Sequence, residues 1–262
     1  MAEGGTMNSG SQGISNGGKG ARIARALAWL GLGVAIACVL AMVLGGLGHR
    51  AGWWHFRAGI QVVRWATTVD LAAIALALAA IVVAWRAGAR RAVTAGVVAL
   101  AVSTVVAIPP LLQWHFAQSL PRIHDITTDT ENPPRFVAVL PLRRSAENGT
   151  DVNPEVLAQQ KQAYPDIVAA RLAIPPAKAW AKAADAARAL RWEIVALSPD
   201  ELRIEATDTT LLFGFKDDVV IRVTAQDTGS RVDIRSVSRA GRSDLGANAR
   251  RIRAFMREIA RS

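Results

Sequence analysis

Three stretches of this chain stay apolar for about the width of a bilayer, and after them the pattern changes to short alternations. The long stretches run from Ala26 to Leu47, from about Ala66 to Trp85, and from about Ala92 to Leu112, with Pro109 and Pro110 near the end of the third. A hydrocarbon core takes about 20 residues of helix to cross, so each predicts a transmembrane span. Farther on, period-two alternation and apolar runs predict strands at Asp166–Ile174, Trp192–Ser198, Glu201–Asp208, about Leu211–Ala225 and Arg231–Ser238, with "SPDE" and "QDTGS" as turns. A 3.6-residue period predicts two helices. The first opens on Pro175 and Pro176 and carries a stripe of Ala177, Trp180, Ala184 and Ala187 opposite Lys178, Lys182 and Asp185. The second is capped by Ser243, has Asp244 in its first turn, and buries Leu245, Ile252, Phe255 and Ile259, a stripe interrupted by Asn248. Short turns make the last four strands antiparallel. The expected fold is α + β: a three-helix transmembrane anchor, then a small α/β domain with a mainly antiparallel sheet and two helices packed on one face.

Composition divides the chain the same way. Residues 1–20 are Gly/Ser-rich and expected to be disordered. Residues 21–117 form the membrane domain, 118–164 a Pro-rich connector containing "HDITTDTENPPRF", and 165–262 the soluble domain. Nine Lys/Arg and two acids precede Gln118, against twenty-two and nineteen after it, so the membrane part holds +7 of the +10 net charge. That excess lies beside apolar spans and reads as a topology signal. Lys19, Arg22 and Arg25 before the first span and Arg86, Arg90 and Arg91 between the second and third are expected on the cytoplasmic side, although Arg50, Arg57 and Arg64 in the Gly48–Arg64 loop weaken the bias. Six of eight tryptophans (Trp29, Trp53, Trp54, Trp65, Trp85, Trp114) lie near span ends, as interfacial belts require. The first span is too long for a signal peptide and lacks a cleavage site after it. The expected address is a multi-pass inner-membrane protein with a cytoplasmic N-terminus and a periplasmic C-terminal domain, which argues against nucleic acid as a partner. The one cysteine, Cys38, lies in the first span and has no intrachain disulfide partner.

Side chains alternate across a strand, so parity assigns faces. Asp208 shares a face with Leu202, Ile204 and Ala206. Asp217 falls among Phe213, Phe215, Val219, Ile221 and Val223, and Ser236 and Ser238 follow Val232 and Ile234. One end of the buried face is therefore expected to collect Asp208, Asp217, Ser236, Ser238 and Asn248. Asp218 points the other way. A hairpin turning on Thr228 and Gly229 sets it opposite Arg239, an exposed pair contributing about 0.2–1 kcal/mol. The other register sets Lys216 against Arg239, a repulsive match, and the first is preferred.

"LFGFKDDVVIRV" followed by "GSRVDIRSVSRAGRSDLGANARRIRAF" resembles the uncharacterised bacterial and plastid family called domain of unknown function 1499. The resemblance covers roughly the last hundred residues and rests on Asp217-Asp218, Arg235-Ser236, Ser238-Arg239, Gly241, Ser243-Asp244, Gly246 and Asn248. It implies a family and no activity. Smaller relatives carry a cysteine-containing stretch before this domain, where this chain has "TDTENPP".

Candidate chemistry is sparse. A desolvated Asp217 could serve as a general base with Ser236, Ser238 or Asn248, but a structural network needs the same residues. No histidine follows His124, and no nucleophile elbow completes a triad. Arg235, Arg239, Arg242, Arg250, Arg251, Arg253 and Arg257 predict a basic surface suited to an anionic lipid or an acidic envelope protein. Trp54-His55-Phe56 and Trp114-His115-Phe116 read as an aromatic belt, with a metal or headgroup site as the alternative. Asp70 is an intramembrane acid expected to pair with Arg64 or Arg57. Asp125, Asp129 and Glu131 match no cation-binding loop. No metal or cofactor is assigned. The sequence reads as a membrane-anchored binding or scaffolding module; an envelope enzyme built on the Asp/Ser/Asn cluster is the alternative.

Overall fold

The computed structural model describes residues 11–261, with side chains from residue 18 onward. The chain divides between His115 and Phe116 into two compact units. Three helices account for the first: α1 (Ser11–Arg50), α2 (Phe56–Arg86) and α3 (Arg90–Ser119), whose last residues belong to the second unit. All three are long and apolar enough to cross a membrane. Of the tail expected to be disordered, residues 1–10 lie outside the described residues and 11–20 form the start of α1. The expected Gly48–Arg64 loop shrinks to residues 51–55, because the His55 side chain accepts the Arg57 N–H and starts α2 there. Arg57 and Arg64 therefore ride on a helix.

Small residues hold these helices together. Ala35, Ala73, Ala77, Ala80, Ala84 and Ala99 are buried, while Leu40, Leu78, Trp85 and Val105 are exposed. This inverts a water-soluble bundle and fits helices whose large side chains meet lipid. The approach is close: a Cβ added at Gly45 would lie 2.9 Å from the Gly59 carbonyl oxygen.

The second unit is a six-stranded antiparallel sheet. Its strands are β1 (Asp125–Thr127), β2 (Ala170–Leu172), β3 (Glu193–Ser198), β4 (Arg203–Thr209), β5 (Lys216–Gln226) and β6 (Gly229–Ser238). The order is β1-β6-β5-β4-β3, and β2 pairs with the same strand, β6, nearer its start. Helices α4 (Pro154–Ala163), α5 (Pro176–Ala189) and α6 (Ala247–Arg261) complete it. The main core lies on one face, where Ile204, Ala206, Val219, Ile221, Val232 and Ile234 meet α5 and α6. Trp192 stacks on Phe255 at 5.9 Å between ring centroids.

Several expectations change. The α5 stripe is Ala179, Ala183, Ala184, Ala186 and Ala187, with Ala177 exposed. The first strand shortens to β2. Within the stretch expected to be connector, Asp125–Thr127 pairs with β6, and Phe136 and Val139 pack on Val220 and Val237 across the sheet from the helices. Both faces of the sheet are thus covered. Leu211–Phe215, expected as the start of a strand, is a loop: Thr210 donates its N–H to the Phe215 carbonyl, its hydroxyl accepts the Phe215 N–H, and Gly214 turns the chain at φ +68°. Local bonding by Thr210 replaces a ladder there, leaving Leu211 86% exposed and Phe213 stacked on Phe215. Phe213 and Phe215 therefore do not point inward along a strand.

The β5–β6 register is the one not preferred from sequence. Gln226 pairs with Gly229, so the turn lies on Asp227 and Thr228, Asp218 faces Val237, and Arg239 donates its N–H to the Lys216 carbonyl. Gly229 sits inside the sheet because a Cβ there would lie 2.1 Å from the Leu172 carbonyl oxygen.

Candidate functional site

Strand register builds the site. Asp208 on β4 pairs with Asp217 on β5, which pairs with Ser238 on β6, so three polar side chains end one face of the sheet in a row. Helix α6 closes over that row, and Arg251 is its centre. Arg251 donates from Nη2 to Asp217 at 2.6 Å, from Nε to Asp208 at 2.8 Å, and from Nη1 to the Asn248 side-chain oxygen at 2.6 Å and the Ser236 hydroxyl at 3.2 Å. Ser236 donates to Asn248 at 2.6 Å, and the Asn248 amide donates to the Ser238 hydroxyl and the His124 carbonyl, both at 2.9 Å. Asp217, Ser236, Ser238, Asn248 and Arg251 are buried, and Asp208 is half-buried.

Arg251 was expected on a basic surface. Its burial follows from helical spacing, since it lies one turn after Asn248 and beside Ile252 on the stripe that faces the sheet. That spacing was a signal available in the sequence. Asp244, not Ser243, caps α6: its carboxylate accepts the Gly246 and Asn248 N–H groups, both at 2.8 Å, while Ser243 accepts only the Leu245 N–H. Burial pushes the Asp244 carboxyl above its usual value. The two N–H bonds oppose this, the nearby Asp217 charge reinforces it, and the net shift is upward.

A second network occupies the opposite face. Asp218, expected in an exposed pair, is fully buried. It accepts from Arg143 at 2.5 Å, from Arg239 Nε and Nη2 at 2.8 Å each, and from the Thr207 hydroxyl at 2.6 Å. Burial works to raise its carboxyl, but the bonds from Arg239, Thr207 and Arg143 outweigh it and hold the carboxyl below its ordinary value. Glu205 accepts the N–H groups of Val137, Ala138 and Val139 at 3.0–3.1 Å. Arg235, also expected on the surface, is buried against Asp125 at 2.6 and 2.9 Å and donates to the Thr150 carbonyl. Charged groups therefore staple the chain from about residue 129 to 150 onto the sheet. Arg143 and Glu205 gave no such warning: Arg143 lies in a stretch read as connector, and Glu205, a polar residue alternating with apolar ones on β4, reads as solvent-facing until something covers it.

The remaining candidates separate. Arg253 is bonded to Asp166 at 2.6 and 2.8 Å and lies over the Tyr164 ring, whereas Arg242, Arg250 and Arg257 are exposed. A recess of about 370 Å³ beside α6 is lined by Leu190, Trp192, Asp208, Arg250 and Arg251. Asp125, Asp129 and Glu131 pair with different cations, Arg235, Arg222 and Lys161, and do not form one cluster. Among the described residues no set of three His, Cys, Asp or Glu is placed to hold a metal. Asp70 does not pair with Arg64 or Arg57: it is buried, and neither carboxylate oxygen has a hydrogen-bond partner.

Residues 125–259, more than half of the chain, match the family described as "Protein of unknown function (DUF1499)". The chain belongs to the DUF1499 family. No curated protein matches it. The DUF1499 match runs from the first residue of β1 to near the end of α6, wider than the last hundred residues. It takes in the segment that covers Asp218 and Glu205. In this chain that DUF1499 domain follows three helices compatible with a membrane anchor.

Proposed function

We propose that this protein is held in the inner membrane by its three helices, with the N-terminus cytoplasmic and the DUF1499 domain periplasmic. In this reading the domain is a non-enzymatic binding or scaffolding module that takes an anionic group, on an envelope protein or an anionic lipid. One observation carries it. Arg251 engages Asp208, Asp217, Ser236 and Asn248 together, so the cluster is closed on itself, while Arg250 beside it stays exposed at the rim of the recess. A closed cluster suits a scaffold, and an exposed guanidinium at the rim of a recess suits an anionic ligand.

The test uses full-length protein purified from native membranes, wild type against Arg250→Glu with Arg257→Glu, with co-purifying lipids and proteins quantified by mass spectrometry. The expected result is that the variant melts at the wild-type temperature and loses most of an anionic lipid or acidic protein that wild type retains. Equal recovery overturns the reading.

The alternative is an envelope enzyme, favoured by the raised Asp244 carboxyl beside Asp217. A buried carboxyl raised above its ordinary value is a candidate general acid. Asp217→Asn separates the two: a folded protein without cellular function supports chemistry, and an unfolded one supports a scaffold.

A further inference from the structure

Asp70 lies near the midpoint of α2, Ser103 near the midpoint of α3, and Cys38 on α1. All three are buried. The Asp70 carboxylate oxygens and the Ser103 hydroxyl make no hydrogen bond, yet Gly96 of α3 packs on Ala77 and Ile81 of α2, so Ser103, two turns past Gly96, comes level with Asp70, two turns before Ala77. Two orphaned polar groups from different helices thus face one another at mid-span.

Ser103 differs from the hydroxyl residues around it. Thr67, Thr68, Thr94 and Thr104 each donate to the carbonyl four residues earlier. Such back-bonding is the usual way for a helical hydroxyl to satisfy itself in an apolar setting. Ser103 forgoes it, leaving its hydroxyl for Asp70.

We propose that Asp70 and Ser103 form an intramembrane proton-binding site, in which the Asp70 carboxylate takes up and releases one proton with the Ser103 hydroxyl as its hydrogen-bond partner. The step is COO⁻ plus H⁺ giving COOH, so the bundle interior changes charge by one and no other bond is broken. A carboxylate within a span faces the bundle interior and marks an ion or proton path. One carboxylate and one hydroxyl are too few oxygens for Ca²⁺ or Mg²⁺, which take six or more ligands, but a proton needs one acceptor. The groups facing the site are few. Cys38 is the titratable one from α1, Ser103 comes from α3, and Ala66, Ala73 and Ala77 neighbour Asp70 on α2. Arg64 lies roughly two turns away along α2 and does not bond to Asp70.

The experiment is infrared spectroscopy of the full-length protein in lipid nanodiscs across a pH series, for wild type, Asp70→Asn and Ser103→Ala. A carbonyl stretch of a protonated carboxyl is expected in wild type and absent in Asp70→Asn. It should shift in Ser103→Ala, where its hydrogen bond is lost, and fade reversibly with a one-proton profile as pH rises. The absence of any Asp70-dependent band, or a band indifferent to pH, overturns the proposal. Should Asp70→Asn fail to assemble, the Ser103→Ala comparison decides: an unmoved band overturns it, and a shifted, titrating band supports it.

Discussion

Asp217 and Asp218 are adjacent in the chain and bond to opposite sides of one sheet. Asp217 reaches Arg251 of α6 at 2.6 Å, and Asp218 reaches Arg143, from the chain covering the other face, at 2.5 Å. Each acid holds a different layer against the same strand. Two neighbouring carboxylates at the mouth of β5 thus make a three-layer structure from a sheet whose pattern predicts two.

Removing the cation from the first layer should be costly. Arg251→Met leaves Asp217 buried without its partner, a change that destabilises by roughly 3–5 kcal/mol. Adding Asp217→Asn should recover part of that loss, because the uncompensated charge disappears. Urea unfolding of both single variants and the double variant measures the coupling, and strict additivity would contradict the arrangement.

The second layer should respond locally. Arg143→Met is expected to cost roughly 3 kcal/mol for the same reason, and to loosen residues 129–150 before the rest of the domain. Hydrogen exchange at Val137, Ala138 and Val139, whose N–H groups bond to Glu205, should accelerate more than exchange in β5.

Acid should act oppositely through two aspartates. Unfolded aspartate titrates near ~3.9. The Asp218 carboxyl is held below that value in the fold, so its contribution is present above the unfolded value and is lost as pH falls through the folded one. The Asp244 carboxyl is held above it, so its contribution is present below the unfolded value and is lost as pH rises through the folded one. Asp218→Asn should therefore flatten the rise of stability with pH, and Asp244→Asn should steepen it, in denaturant titrations at a series of acidic pH values.

Gly229 sets the edge of the sheet. Its φ of +147° and a Cβ position 2.1 Å from the Leu172 carbonyl oxygen leave no room for a side chain. Gly229→Ala should cost on the order of 2 kcal/mol or more from strain and clash together, and should release β2. Faster exchange of the Ala170–Leu172 amides than of β4 would report it.

Much of this was legible along the chain. Span length and apolar run predict the three helices, and period-two alternation places Asp208, Asp217, Ser236 and Ser238 on one face. The β5–β6 register was not legible. It turns on the close approach of Leu172 to Gly229, a contact between residues far apart in sequence. Arg251 was half legible, since its spacing from Asn248 put it on the buried stripe while its charge argued for water.

Periodicity alone determined which residues share a side of a strand or helix, because that depends only on backbone geometry. It could not determine whether a side meets solvent. Only the tertiary structure decided that Asp218, Glu205 and Arg235 are buried and that Asp70 has no cation, because burial depends on what distant segments lay over each face.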